Sequence, residues 1–111
     1  MRVLVQDVDE FIEDLKTAHS VHQGTLRFSI IKRKGASPHS AKVQVYIQFG
    51  AVVVDAEGNE YLLEGAEPCG DDFVDAEASG EGSAKAVERK QAVIQFASDR
   101  GWLVKPGIIG E

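Results

Sequence analysis

The sequence predicts an α+β domain, an antiparallel sheet of three or four strands with two helices packed on one face, in the order α-β-β-β-α. Three observations carry this. A stripe of apolar residues at helical spacing opens the chain, period-two alternation fills its middle, and a second apolar helical stretch follows an acidic segment. The 111 residues, 43% hydrophobic and 27% charged, suit a single globular domain spanning 1–111. At this length roughly 65% of the unfolded chain's surface is hidden on folding, so a core forms without disulfides or a structural metal.

Asp7 followed by Glu10 has the form of a capping box, and Val8, Phe11, Ile12, Leu15 and Ala18 then fall on one stripe. This predicts a first helix ending near His19. After Gly24, "TLRFSIIKRK" sets Leu26, Phe28 and Ile30 against Arg27 and Ser29, the period of a half-buried strand. "GASPHS" is a turn. "AKVQVYIQFG" alternates Val43, Val45, Ile47 and Phe49 with Lys42, Gln44, Tyr46 and Gln48, which predicts a second strand with one dry and one wet face. Gly50, where the alternation gives way to "AVVV", is expected to be a bulge or bend. "DAEGN" reads as a hairpin turn into a third strand, "EYLLE".

Residues 65–82 show no sustained apolar period and are expected to form a long acidic loop. Ser83 then caps a second helix that Gly101 stops. On that helix Ala86, Val87, Ala92, Val93, Ile94, Phe96 and Ala97 form a band wider than one three-stranded sheet covers. The tail at 102–111 adds Trp102, Ile108 and Ile109 to the surface in need of cover. The expectation is a homodimer or another protein partner, with Trp102, Ile108 and Ile109 on the interaction surface.

The net charge of −6 is unevenly laid out. From Val43 to Ala84 there are ten carboxylates and no Lys, Arg or His, and the remainder sums to +4. Such a split bears on partners more than on fold: a solvated acidic loop is the plain reading, an acidic docking surface the sharper one. The first residues lack the long apolar region of a secretory signal and no apolar run approaches a membrane span, so the expected location is the cytoplasm, away from the membrane. Cys69, the only cysteine, fits a reducing compartment.

Candidate chemistry is sparse. "DAEASG" (Asp75, Glu77, Ser79, Gly80) has the alternating oxygens of the first half of a calcium loop, but Ala86 stands where the closing glutamate belongs. Cys69 sits among Glu67, Asp71 and Asp72, which raise a thiol's pKa and remove the thiolate. His19 and His22 could share a metal only with a third ligand that the sequence does not identify, and His19 reads as a structural histidine on the apolar face of the first helix. No nucleophile-base pair, paired carboxylates or phosphate loop can be assigned. No catalytic residue, cofactor or metal is therefore expected.

The stretches "GASPHSAKVQVYIQFG" and "GEGSAKAVERKQAVIQFA", in the order helix, three strands, helix, resemble a double-stranded-RNA-binding domain. The resemblance implies that the loop between the first two strands, here carrying His39 after Pro38, reaches a minor groove. Lys85 and Arg89, opening the last helix after Ser83, would meet phosphates, with Lys32, Arg33, Lys34 and Lys42 near the loop. His39, Lys85 and Arg89 are thus the nucleic-acid-binding candidates. The family's lysine run is not reproduced, since Ala86 follows Lys85. A net −6 chain also repels a polyanion unless its cations are segregated. The residues therefore rank a non-catalytic binding or protein-interaction domain first, a nucleic-acid-binding module second, and a small enzyme or metal protein third.

Overall fold

A computed structural model describes residues 1–22, 26–34, 42–73 and 80–107. In chain order the elements are β1 (Arg2–Val5), α1 (Val8–Thr17), β2 (Ser20–Val21), β3 (Leu26–Lys34), β4 (Lys42–Val54), β5 (Glu60–Phe73), α2 (Glu81–Asp99) and β6 (Val104–Pro106). The sheet order is β1-β5-β4-β3-β6. β2 pairs with Val53 and Val54 at the far end of β4 and so prolongs the line of β3.

The expected sheet of three or four antiparallel strands is overturned. Among the described residues six strands form a mixed sheet, with β1 parallel to β5 and β6 parallel to β3. Both added strands are short, four and three residues, too few for period-two alternation to declare itself. The order α-β-β-β-α survives only as the inner part of a longer series. Residues 65–73, expected in the acidic loop, are the second half of β5. Residues 81 and 82 already belong to α2, whose N-cap is Gly80 rather than Ser83. The expected bulge at Gly50 is absent, since Gly50 keeps register with Arg27 on one side and Glu64 on the other. The irregularity falls instead between Val45 and Tyr46, opposite Gly70 and Pro68, with Cys69 as the extra residue.

Local chemistry explains the elements that were foreseen. Asp7 Oδ1 accepts the Glu10 N–H at 2.8 Å, while Glu10 Oε2 accepts from the Gln6 N–H at 2.8 Å, so α1 starts where the capping box placed it. It ends at Thr17, short of His19, because the following residues turn into β2; His19 is exposed there, not on an apolar helix face. At the β4–β5 turn Asp55 Oδ1 accepts from the N–H groups of Glu57 (3.0 Å) and Asn59 (2.8 Å), and Gly58 takes φ +86°.

Both helices lie on one face of the sheet. Phe11 and Leu15 of α1, Val93 and Ala97 of α2, and Phe28, Val45, Ile47, Phe49, Ala51, Val53 and Leu63 of the strands form one buried cluster. Phe11 sits at its centre, 4.7 Å from the ring of Phe49 and edge-on to Phe28 at 6.1 Å. The first turn of α2 presses onto β5 at a glycine pair: a Cβ on Gly82 would lie 2.7 Å from the carbonyl oxygen of Gly70. No helix among the described residues is long and apolar enough to cross a membrane.

The wide band on α2 is resolved by this larger sheet. Ala86, Val93, Phe96 and Ala97 are buried within the chain, whereas Val87 and Ala92 reach the surface. Trp102 packs at half exposure against the core, its ring 5.6 Å from Phe96, and Val104 enters β6. Much of the helix-and-tail surface that predicted a partner is thus covered by the chain itself.

Candidate functional site

Strand β5 carries two carboxylates inward. Glu67 Oε1 accepts the Val8 N–H at the start of α1 (3.1 Å), and its side chain is 9% exposed. Arg89 from α2 closes on it through Nε (3.0 Å to Oε2) and Nη2 (3.2 Å to Oε1), and reaches exposed Asp9 at 2.8 Å. The Asp9 hydrogen bond, ahead of Glu67, pushes the guanidinium pKa up. Arg89 is therefore charged and held between two carboxylates.

Asp72 does for α2 what Glu67 does for α1. Its Oδ1 accepts the Gly82 N–H at 3.0 Å and its Oδ2 the Ser83 N–H at 3.1 Å and the Ser83 hydroxyl, so this fully buried side chain caps a helix whose own N-cap, Gly80, has none to offer. Donation by the Ser83 hydroxyl holds its carboxyl below the usual carboxylate range. The Lys32 ammonium stands 4.0 Å away. Both carboxylates also meet the positive end of a helix dipole.

The opposite face of the sheet is built differently. Alternate residues of β3, β4 and β5 point away from the helices, and pairing sets them in rungs across three strands: Arg27–Gly50–Glu64, Ser29–Gln48–Ala66, Ile31–Tyr46–Pro68 and Arg33–Gln44–Asp71. The centre is apolar and aromatic. One flank is cationic and the other anionic. Lys105, in register with Arg27, extends the cationic flank onto β6, and Leu4, 72% exposed, lies on β1 beyond Glu64. No described element packs over these rungs.

Contacts within the face hold it in shape. The Arg33 guanidinium lies 5.5 Å from the centre of the Tyr46 ring, and the Tyr46 hydroxyl donates to Gln44 Oε1 at 2.5 Å. Arg27 Nη1 donates to the Pro106 carbonyl at 3.0 Å. Arg2 Nε donates to Glu64 Oε1 at 2.7 Å, and His22 Nε2 stands 2.9 Å from Glu60 across β4. A shallow depression of about 290 Å³ opens beside Leu4, Gln48, Glu64 and Ala66.

Of the sequence-derived candidates, Lys85, Arg89 and Trp102 lie among the described residues. Lys85 is exposed on the first turns of α2, Arg89 is engaged by Glu67 and Asp9, and His39 lies outside the described residues. Trp102 covers the core from within the chain; Ile108 and Ile109 lie outside the described residues, as do Asp75, Glu77 and Ser79 of the half calcium loop. Cys69 is buried at the bulge, its thiol donating to the Glu67 carbonyl at 3.4 Å. Burial, then the Glu67 carboxylate, pushes that thiol's pKa up. Among the described residues no three His, Cys, Asp or Glu side chains gather into a metal site.

In the sequence, alternation marks the residues of the open face only as wet. Their meaning lies in the register between strands, which pairs residues far apart in sequence. The strong strand at Lys42–Phe49 supplied the central column, but neither flank could be attached to it without the pairing. Comparison with protein-family models, with curated proteins and with solved structures finds no match to this chain.

Proposed function

We propose that this protein is a non-catalytic binding domain that engages a macromolecular partner through the open face of its sheet. The observation that carries the reading is the rung Ile31–Tyr46–Pro68, an apolar and aromatic centre flanked by charge and covered by no described element. An antiparallel sheet readily keeps one wet face, but a purely solvated face has no need of an isoleucine and a tyrosine at its middle. The location that suits the reading is the cytoplasm, where a lone cysteine stays reduced.

Duplex-RNA binding is the weaker reading, because a guanidinium held by Glu67 and Asp9 would have to leave two carboxylates to meet a phosphate. An enzyme reading gains nothing from Cys69, whose burial suppresses the thiolate.

A photo-crosslinking residue placed at Ser29 on the open face, with one at Glu88 on the exposed side of α2 as control, tests the proposal in living cells. Covalent adducts to a macromolecule are expected from position 29 and not from position 88. Equal labelling from both positions, or none from position 29, overturns it. Nuclease treatment of the adducts reports whether the trapped partner is nucleic acid.

A further inference from the structure

The layout of the open face specifies what sits on it, and we infer that the partner is a second copy of this chain, docked face to face about a two-fold axis running along β4. This inference rests on the reading of the open face as the binding surface. The four rungs are antisymmetric about β4. Arg27 stands on one side of Gly50 and Glu64 on the other, and six residues along β3 Arg33 and Asp71 flank Gln44 in the same sense. Between them the rungs Ser29–Gln48–Ala66 and Ile31–Tyr46–Pro68 pair small with small and apolar with apolar.

Rotation by 180° about an axis parallel to β4 keeps each residue at its height along the strand and exchanges left for right. Each β3 then lies over the partner's β5. Arg27 comes over the partner's Glu64, Arg33 over the partner's Asp71, and Ile31 over the partner's Pro68. Tyr46 meets its own symmetry mate on the axis. A two-fold axis running across the strands would instead stack β3 on β3 and oppose like charges, so the charge pattern selects one of the two orientations. Within the chain neither Arg27 with Glu64 nor Arg33 with Asp71 is joined. Arg27 bonds the Pro106 carbonyl, Arg2 bonds Glu64, and Arg33 lies over Tyr46.

The size is sufficient. β1, β3, β4, β5 and β6 hold 4, 9, 13, 14 and 3 residues, and at ~3.3 Å along and ~4.8 Å across the strands for each residue they give roughly 700 Å² of face. Specific interfaces begin at about 600 Å² per partner, so a face of this size suffices for a small interface when most of it is covered. Apolar area at the central rung would supply affinity, and the flanking ions would supply register.

The test uses sedimentation velocity on the purified full chain from about 1 to 500 μM, a range that brackets the weak and moderate dissociation constants of such dimers. The wild type is expected to show a species of twice the 12.0 kDa chain mass. Arg27→Glu with Arg33→Glu makes both flanks anionic, and Glu64→Arg with Asp71→Arg makes both cationic. Each double variant alone is expected to run as a monomer, and an equal mixture of the two is expected to restore a dimer, since one chain then presents acid wherever the other presents base. Glu88→Arg, on α2, should leave the dimer unchanged. Circular dichroism confirms that each variant is folded. Should a reversal unfold the chain, Arg27→Gln and Glu64→Gln, which keep size and remove charge, should each weaken dimerisation at least threefold.

A wild type that is monomeric throughout, a dimer indifferent to these substitutions, or folded variants that fail to associate on mixing would overturn the inference. If the wild type is monomeric while position 29 still crosslinks another macromolecule, the open face stands as a binding surface and only the second copy is refuted. If neither occurs, both readings fall.

Discussion

Replacing Arg89 by methionine separates its two possible roles, because it removes the guanidinium while retaining most of the packing of its stem. In the folded protein that group makes hydrogen bonds of 3.0 to 3.3 Å with Glu67 and an ion pair of 2.8 Å with Asp9. After the substitution Glu67 keeps the Val8 N–H as a hydrogen-bond donor, with its side chain 9% exposed. Breaking a wholly buried ion pair costs about 3–5 kcal/mol, most of it from the stranded charge. Arg89 itself is 21% exposed, so some water reaches the site and about 2–4 kcal/mol is the better expectation. The Asp9 side chain is 76% exposed, and Asp9→Asn should cost no more than about 1 kcal/mol. In thermal unfolding the Arg89→Met loss corresponds to a fall in Tm of roughly 8–16 °C for a domain of this size. Urea titration of the wild type, Arg89→Met, Asp9→Asn and the Arg89→Met/Glu67→Gln double variant measures the coupling directly. The double variant should recover part of the loss, because the stranded charge is gone. A loss below about 0.5 kcal/mol for Arg89→Met, or an equal loss for Asp9→Asn, would refute the reasoning and return Arg89 to the pool of surface cations.

Two further outcomes follow from the way β5 holds α2. Gly82→Ala places a methyl 2.7 Å from the backbone oxygen of Gly70, where neither element can yield cheaply, and should destabilise by about 1–3 kcal/mol in the same urea assay. A cost under about 0.3 kcal/mol would show that the helix and strand do not meet there as described. Asp72 has its folded pKa lowered, so its contribution is present above its unfolded value near 3.9 and is lost as the pH falls through the folded pKa. Asp72→Asn should therefore lower stability at neutral pH and shrink the difference from the wild type as the pH falls below about 4. A difference that stays constant from neutral to strongly acidic pH would refute this.

Much of the inner fold is legible in the sequence, for physical reasons that can be named. The box at Asp7 and Glu10 satisfies orphan helix donors locally, and the alternation at Val43–Phe49 reports a strand with one buried side. Residues 65–73 fail the same reading because β5 puts Gly65, Glu67, Gly70 and Asp72 at inward positions, where alternation looks for apolar side chains. Glycine is needed at 65 so that the Phe49 ring and the Val5 backbone can close over it, and the two acids meet helix ends. β1 and β6 are legible only as partners of β5 and β3, a property of the folded chain rather than of either short segment's own pattern. The open face shares that fate, since its rungs join residues as distant as Arg33 and Asp71.

The bulge at Cys69 ties these features together. Glu67 and Asp72 are five positions apart, an odd interval, which in a regular strand would turn them to opposite faces. One extra residue between them restores the phase, so both point inward and each meets the N-terminus of a helix. By the same shift Asp71 turns outward to join Glu64 on the anionic flank, although seven residues separate the two. Without the bulge Asp71 would face the core and Asp72 the open sheet, α2 would lose its cap, and the rung Arg33–Gln44–Asp71 would lose its acid. The run of carboxylates that in the sequence resembles a solvated loop is thus sorted by one inserted residue into two sets. One is buried and positions the helices, and the other, exposed at Asp71 and held by Arg2 at the largely covered Glu64, faces outward and is patterned against the cations of β3.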